Sequence, residues 1–252
     1  YTDDGYITAS PALRRVVNEA ADALRALGAH VESWRPPRVD EAMRFFFGAF
    51  AADAFSWLRH ALGPDKPTPQ NRMLLQSGKI PGPMRKHLSG MMRHFGQVRL
   101  SRIIAQTGRC STRDFWNLLE ERNDYRLRFI DAMDAGAFDA IVCPPTSLPA
   151  LLHGSTSSLP GFDSYARLFN VLGMPAGVVA ASRVRAGEES DRPSGKDRVD
   201  QAAAHVETGS VGLPIGVQVA ARHWREDVVL AVMSALESHF RGQADYPDRP
   251  PI

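Results

Sequence analysis

The 252-residue sequence contains only two cysteines, Cys110 and Cys143, and lacks any apolar run of the roughly 18 residues that a membrane-spanning helix needs. Two cysteines supply neither a disulfide framework nor paired zinc ligands, so we interpret both as idle thiols in a reducing compartment. The 44% hydrophobic and 23% charged residues are typical of a soluble globular protein. The composition therefore predicts a cytoplasmic protein with one large core or two small ones.

Motifs for nucleotide and metal chemistry are also missing. Neither common glycine-rich phosphate loop occurs, and the eight histidines are scattered, with no pair at the spacing of a helical zinc site. We therefore expect no cofactor and no metal. Residues 66–113 contain ten Lys or Arg and no Asp or Glu, but Phe95 is their only aromatic residue. Because stacking platforms are absent, this basic segment does not predict nucleic-acid binding.

The basic segment contains a predicted amphipathic helix over residues 84–95. Its apolar residues share one stripe, with Arg85, Lys86 and Arg93 around it. The stripe consists of Met84, Leu88, Met91, Met92 and Phe95. Three interpretations stay open: contact with an anionic membrane surface, contact with the rest of the protein or a second copy, and a solvated face. A peripheral membrane contact through Met84 to Phe95 and a homodimer are therefore both open expectations.

Periodicity separates a helical first part from a β-rich second part. Ser10 and Pro11 begin a predicted helix that Gly28 ends, and residues 30–34 predict a short strand. Residues from about 40 to 135 place apolar side chains at three- and four-residue spacings interrupted by prolines, which predicts four helices. We interpret this part as a helical, cap-like region.

Short apolar runs that end at Pro or Gly dominate from about residue 139 to 240. Residues 140–143, 176–184 and 214–221 are typical of strands covered by helices on both faces, and residues 226–240 predict a final helix. The charged residues 185–210 are interpreted as a mobile loop. This alternation predicts an α/β fold with a β-rich core segment.

Evidence for a nucleophile is weak. The serine-rich residues 154–158 lack the strand-turn-helix context of a nucleophile elbow, and we interpret them as a loop. A hydrolase that pairs His153 with one of these serines is the least favoured hypothesis. For Asn170 and Gln218 a structural role at strand ends is preferred over contact with a substrate.

Several blocks of the sequence, in one order, resemble the amidase signature family. The blocks are residues 4–5 with 11–15 (DG, PALRR), 138–145 (FDAIVCPP), 168–179 (LFNVLGMPAGVV) and 212–219 (GLPIGVQV). The resemblance covers about residues 1–237. Within the family, the fatty acid amide hydrolases are the most similar group, through Trp116, Ser164-Tyr165 and Trp224.

The resemblance implies that residues 1–252 are the C-terminal part of a single amidase domain, with a mixed sheet flanked by many helices. It implies hydrolysis of a small-molecule linear amide, a fatty acid amide or another acyl amide, by a Ser-Ser-Lys set. That set precedes the matched blocks in the family, so the resemblance implies no catalytic residue in this chain, an inactive isolated chain and an N-terminal half that completes the domain. The alternative is a non-catalytic α/β binding or interaction module.

The resemblance also implies a substrate channel in this part of the fold. It places channel-lining residues at Leu100, Ile103, Thr107, Asp163, Arg167 and Trp224. Asp163 and Arg167 depart from an apolar channel, and burying the pair costs free energy unless the two charges interact. The pair therefore favours a shorter or more polar amide. The alternative is that these two side chains, four residues apart on a helix, face solvent.

Overall fold

The computed structural model describes residues 1–248, which contain ten α-helices, one 3-10 helix and three β-strands. The helices are α1 (Pro11–Ala26), α2 (Val39–Phe50), α3 (Ser56–Leu62), α4 (Pro69–Ser77), α5 (Gly82–His94), α6 (Val98–Gln106), α7 (Thr112–Ala135), α8 (Ser164–Leu172), α9 (Arg198–Glu207) and α10 (Glu226–Arg241). The strands are β1 (Ala140–Cys143), β2 (Ala176–Arg183) and β3 (Pro214–Ala221), and the 3-10 helix is Ser155–Ser158. The predicted α/β class is confirmed. No helix within the described residues is both long and apolar enough to cross a bilayer.

The three strands form an antiparallel sheet in the order β1-β3-β2. Val219 in the centre lies opposite Val142 of β1 and Gly177 of β2. The register of β2 shifts between Ala180 and Ser182. All three strands agree with the sequence prediction, and β2 ends one residue earlier than expected.

Helices α1 and α10 cover one face of this sheet and contact each other. The buried side chains of α1 recur at helical spacing, as its apolar stripe predicts. Gly177 lets α10 approach β2 closely, because a Cβ at this position would lie 2.3 Å from the Met233 sulfur. The sheet and these two helices therefore form one packed layer pair.

Helices α2, α7 and α8 complete the main core. Phe45 and Phe47 of α2, Tyr125 and Phe129 of α7, and Leu168 of α8 belong to the same buried cluster as the strands. The predicted helical region is thus continuous with the core through α2 and α7. Helices α3 and α4 instead pack on a separate small cluster of Ala51, Phe55 and Leu75.

Two predictions for the first 135 residues are wrong. Residues 39–135 form six helices rather than four. Pro or Gly separates the successive helices from α3 to α7, whereas Ala54 and Phe55, with φ angles of 59° and 61°, separate α2 from α3. Pro69, for example, opens α4, and the Thr68 hydroxyl accepts a hydrogen bond from the Asn71 N–H at 3.3 Å. Residues 30–34 form no strand. Ser10 precedes α1 as predicted, but its side chain makes no capping hydrogen bond.

The interpretation of residues 185–210 as a loop also needs correction. Residues 198–207 form α9, and the Asp197 carboxylate accepts a hydrogen bond from the Val199 N–H at 2.9 Å at its N-terminus. Glu207 is fully buried and forms an ion pair with Arg192 at 3.0 Å. Arg15 of α1 forms an ion pair with Glu188 at 2.6 Å, and Arg99 of α6 forms one with Asp200 at 2.9 Å. Charges that suggested solvent exposure thus bind this segment to the protein.

Candidate functional site

An aromatic cleft lies between α2, α7 and α8. Its volume is about 400 Å³. The lining residues are Phe45, Phe46, Ala49, Phe50, Leu118, Leu119, Arg122, Asn170 and Val171. The Phe46 and Phe50 rings stack with centroids 5.8 Å apart and planes 13° apart. The cleft is therefore apolar, with a few polar groups from α7 and α8.

The sequence of α2 produces this cleft. Phe46 and Phe50 are four residues apart, so they share one face of the helix. Gly48 allows neighbouring helices close to α2, because a Cβ there would lie 3.0 Å from Leu118 Cδ2 and 3.9 Å from the Gln106 carbonyl oxygen. The end of α6 and the start of α7 thus flank the aromatic helix.

Asp163 and Arg167 interact with each other at the edge of this cleft. The Asp163 Oδ1 to Arg167 Nε distance is 2.6 Å, and the two side chains are 26% and 22% exposed. The Arg167 guanidinium lies 4.2 Å from the centre of the Phe46 ring and 5.2 Å from that of Phe47. Mutual pairing compensates much of the desolvation cost of both charges. The pair is therefore mainly buried, and Arg167 covers one of the rings that line the cleft.

The three predicted channel residues of α6 have different environments. Leu100 and Ile103 are half-buried and pack against the main core. Thr107 follows the last residue of α6, and its carbonyl oxygen accepts a hydrogen bond from Arg85 of α5. These contacts hold α5 to α6 near the side of the cleft where Gln106 approaches Gly48.

Trp224 lies apart from this arrangement. Its side chain is 89% exposed, and its φ angle of 64° is in the left-handed region that favours glycine. It is not among the residues that line the cleft. None of the six predicted channel residues is among those that line the cleft. Arg167, paired with Asp163, reaches one lining ring through its contact with Phe46, whereas Trp224 lies at the surface before α10.

A buried polar network fixes the start of α8 beside the cleft. Asp4 is 3% exposed, and its Oδ1 accepts hydrogen bonds from the N–H groups of Tyr6 and Ile7 at 2.8 and 2.9 Å. The Ser164 hydroxyl donates to Asp4 Oδ2, and the Tyr165 hydroxyl donates to the Ile7 carbonyl at 2.9 Å. Burial raises the pKa of the Asp4 carboxyl. The Ser164-Tyr165 pair thus positions α8.

The remaining polar candidates separate into structural and accessible groups. Gln218 is buried and donates from Nε2 to the Tyr165 carbonyl oxygen at 3.3 Å, which matches its preferred structural role. Burial raises the pKa of the neighbouring Cys143 thiol to about 11, so the thiol is protonated at neutral pH. Asn170 is exposed at the cleft, where its amide can contact a ligand.

The serine-rich segment has no activated nucleophile. Residues 155–158 form a 3-10 helix, and the Ser155 hydroxyl donates to the Leu152 carbonyl oxygen at 2.8 Å. That geometry is a local turn contact. Within residues 1–248, no group of three His, Cys, Asp or Glu side chains could hold a metal ion.

Sequence reasoning missed the aromatic wall of the cleft. Four phenylalanines occur within residues 45–50, at the highest aromatic density of the chain. That density was the available signal. It could not show that Phe47 is buried in the core while Phe45, Phe46 and Phe50 line the cleft.

Comparison of the sequence with known proteins identifies one family. The model of the Amidase family matches residues 1–230. Fatty acid amide hydrolase 1 of Caenorhabditis elegans is 32% identical over 253 residues, and fatty-acid amide hydrolase 1 of Sus scrofa is 28% identical over 242 residues. These alignments cover 96% and 94% of this chain but 43% and 42% of the relatives. The chain thus spans less than half the length of either relative.

Solved structures show the same fold. A fatty acid amide hydrolase superposes with a TM-score of 0.70 at 18% identity, covering 96% of this chain and 39% of that one. A 6-aminohexanoate cyclic dimer hydrolase superposes with a TM-score of 0.60, also at 18% identity, covering 98% of this chain and 45% of that one. From the family match and the relatives' identity over nearly its whole length, the chain belongs to the amidase family.

Proposed function

We propose that the protein hydrolyses linear amides of fatty acids or other acyl groups, and that residues 1–252 supply part of the core and of the substrate channel. The observation that carries this proposal is the Amidase match over residues 1–230. The two relatives named fatty acid amide hydrolase add the acyl class of substrate. The shared fold and an aromatic cleft large enough for a small ligand support it.

The proposal places the Ser-Ser-Lys catalytic set outside residues 1–252, in an N-terminal half that completes the domain. A serine attacks an amide only when a base takes its proton and N–H donors stabilise the oxyanion. The Ser155 hydroxyl already donates to a backbone carbonyl, and the segment around it is largely exposed. Residues 1–252 alone are therefore proposed to be inactive.

The substrate channel is proposed to include the aromatic cleft and the six residues that the family resemblance indicates. An acyl chain would contact Phe46 and Phe50, and the Asn170 amide would contact a polar group of the substrate. Asp163 and Arg167 would form the polar edge of the channel. The other proposed substrate contacts are Leu100, Ile103, Thr107 and Trp224. Because the Asp163–Arg167 pair leaves less apolar surface for an acyl chain to contact, shorter or more polar acyl amides fit this channel best.

Amide hydrolysis tests the proposal directly. Residues 1–252 and a chain extended upstream to include a Gly-Ser-rich segment are each assayed on aryl amides and on acyl amides of increasing chain length. We expect turnover only from the extended chain. In that chain, Phe46→Ala should lower kcat/KM about tenfold for acyl amides and less for aryl amides, because apolar contact with the acyl chain is lost. Trp116→Ala, at a 60% exposed aromatic residue outside the cleft lining, is the control.

Two outcomes would contradict this function. Turnover by residues 1–252 alone would refute the external catalytic set. Saturable binding of an acyl amide with no turnover by the extended chain would favour the alternative, a non-catalytic binding or interaction module derived from an amidase.

Peripheral contact with an anionic membrane is a second proposal, which rests on the surface of α5. Met84 and Met91 are 55% and 46% exposed, and Phe95, directly after α5, is 66% exposed. The segment from residue 66 to 113 has ten positive charges and no negative one. We expect co-sedimentation with phosphatidylserine vesicles, weaker for Phe95→Ser, and none with phosphatidylcholine vesicles. A homodimer stays a prediction, which light scattering tests.

A further inference from the structure

A single charged side chain lines the aromatic cleft between α2, α7 and α8. Arg122 of α7 is the only ionisable residue among those that line it. The side chain is half-buried, and its Nε donates a hydrogen bond to the Val171 carbonyl oxygen at 2.9 Å. This bond holds the guanidinium at the carboxyl end of α8, where the helix dipole favours a positive charge.

Most of the hydrogen-bonding capacity of Arg122 is unused. A guanidinium has five N–H donors, and the contact with α8 uses only the one on Nε. Within residues 1–248, the two terminal nitrogens make no hydrogen bond, and no carboxylate pairs with the group. Neither terminal nitrogen is buried, so both are accessible to a ligand.

Two other arginines contact phenylalanines of this cleft, and each of them is paired with a carboxylate. Arg44 binds Glu121, and Arg167 binds Asp163. Partly buried charges are usually paired, because desolvation disfavours a lone ion. Arg122 departs from this pattern within the described part of the chain. An anionic ligand in the cleft would supply the missing partner.

The other lining residues indicate what kind of anion fits. Asn170 is exposed in the cleft, and its side-chain amide makes no hydrogen bond within residues 1–248. A carboxylate only accepts hydrogen bonds, and its two oxygens match two parallel N–H donors of a guanidinium. The stacked rings of Phe46 and Phe50 provide an apolar surface in the same cleft. A carboxylate head joined to an apolar tail would satisfy both parts of the site.

We propose that the aromatic cleft binds a carboxylate with an apolar tail, in which the carboxylate pairs with Arg122 and accepts a hydrogen bond from the Asn170 amide. One negative charge matches the one cation of the lining, whereas a dianion would keep a second charge uncompensated beside apolar side chains.

This inference rests on the proposed function, which supplies such a carboxylate. Hydrolysis of an acyl amide adds water across the C–N bond and gives an amine and a carboxylic acid, which is ionised at neutral pH. Two sources share the required chemistry. The ligand is either the acyl product of the reaction or a substrate with a carboxylate at the far end of its chain.

Calorimetry of residues 1–252 with octanoate and octanamide compares a charged and a neutral head on the same tail. We expect octanoate to bind about 10- to 100-fold more tightly, as for hydrogen bonds to a charged partner. Arg122→Met should abolish this preference. Arg44→Met is the matched control and should keep it, because Glu121 already compensates Arg44. Phe46→Ala should weaken both ligands by the same factor, because they share the tail.

Asn170→Asp tests the same charge without removing the contact between Arg122 and α8. The new carboxylate would neutralise the guanidinium, so the preference for octanoate should disappear while octanamide still binds. Melting temperatures identify the variants that fold, and Asn170→Asp decides if Arg122→Met does not. Equal affinity of the unchanged chain for both ligands, or no saturable binding of octanoate, would overturn the proposal. A preference that survives in either folded variant would overturn it as well.

The chain extended upstream distinguishes the two sources. Competitive inhibition by octanoate, relieved by Arg122→Met, indicates the acyl product. A higher kcat/KM for the monoamide of a dicarboxylic acid than for the uncharged amide of equal length, lost in Arg122→Met, indicates the substrate. Absence of both effects in an active extended chain would overturn the assignment of the site to this reaction. The binding measurements need no turnover, so their failure is distinct from failure of the proposed function.

Discussion

Replacement of Arg192 by Ala should severely destabilise the protein. Glu207 is fully buried, and the Arg192 side chain is 7% exposed. Arg192 Nε lies 3.0 Å from both Glu207 carboxylate oxygens, and its Nη2 donates to the Thr8 carbonyl oxygen at 2.7 Å. The Arg192→Ala variant keeps a buried carboxylate without its cation.

The burial of the Arg192–Glu207 ion pair determines the expected loss of stability. Removing one partner of a buried ion pair costs about 3–5 kcal/mol. For a chain of this size, that corresponds to a melting temperature lower by about 6–20 °C. Arg14→Ala is the matched control, because Arg14 binds Asp191 of the same segment at a site where the two side chains are 32% and 54% exposed. An exposed pair contributes at most about 1 kcal/mol.

Urea unfolding monitored by circular dichroism measures both variants. The double variant Arg192→Met/Glu207→Leu should recover most of the lost stability, because an apolar pair needs no compensation for buried charge. If Arg192→Ala costs no more than Arg14→Ala, residues 185–210 do not depend on this ion pair, and the reasoning is refuted.

Three further predictions concern Asp4, the sheet and α5. Burial raises the pKa of the Asp4 carboxyl above its ordinary value of 3.8, so the folded state binds this proton more tightly than the unfolded state does. The free energy of unfolding should therefore fall as the pH rises from 3.8 through the higher pKa of the folded state. Asp4→Asn should remove that slope in urea titrations across pH; an unchanged slope contradicts the assignment. Gly216→Ala should cost about 1–3 kcal/mol, because the new Cβ would lie 2.5 Å from the Val179 carbonyl oxygen. Gly90→Ala in α5, where the new Cβ would meet no atom beyond the helix backbone within 4 Å, should instead stabilise by up to about 1 kcal/mol; urea unfolding measures both glycine variants.

Local signals predicted the elements whose ends are determined by their own residues. Pro11 and Gly28 bracket α1, and a proline marks one end of each strand: Pro144 follows β1, Pro175 precedes β2 and Pro214 begins β3. Residues 30–34 were also predicted as a strand, from an alternation of apolar and polar side chains, yet they form none. A strand requires a partner, and a sequence pattern alone does not contain that information.

Contacts between segments far apart in the sequence determine features that the sequence patterns did not predict. The charges of residues 185–210 suggested solvent, but Glu207 is buried in an ion pair with Arg192 of the same segment, and Arg192 also donates to the Thr8 carbonyl oxygen near the start of the chain. The spacing of Asp163 and Arg167 allowed an ion pair. It did not show that Arg167 would lie over Phe46, which comes from α2 more than a hundred residues earlier.

The separate small core of α3 and α4 implies two levels of cooperativity in one chain. Ala51, Phe55 and Leu75 are the three buried residues of this core, whereas the sheet and its helices share a much larger one. Local opening free energy follows the number of buried apolar contacts. Residues 56–77 should therefore open and close many times for each global unfolding event, so the first protease cuts should fall there while the sheet stays intact.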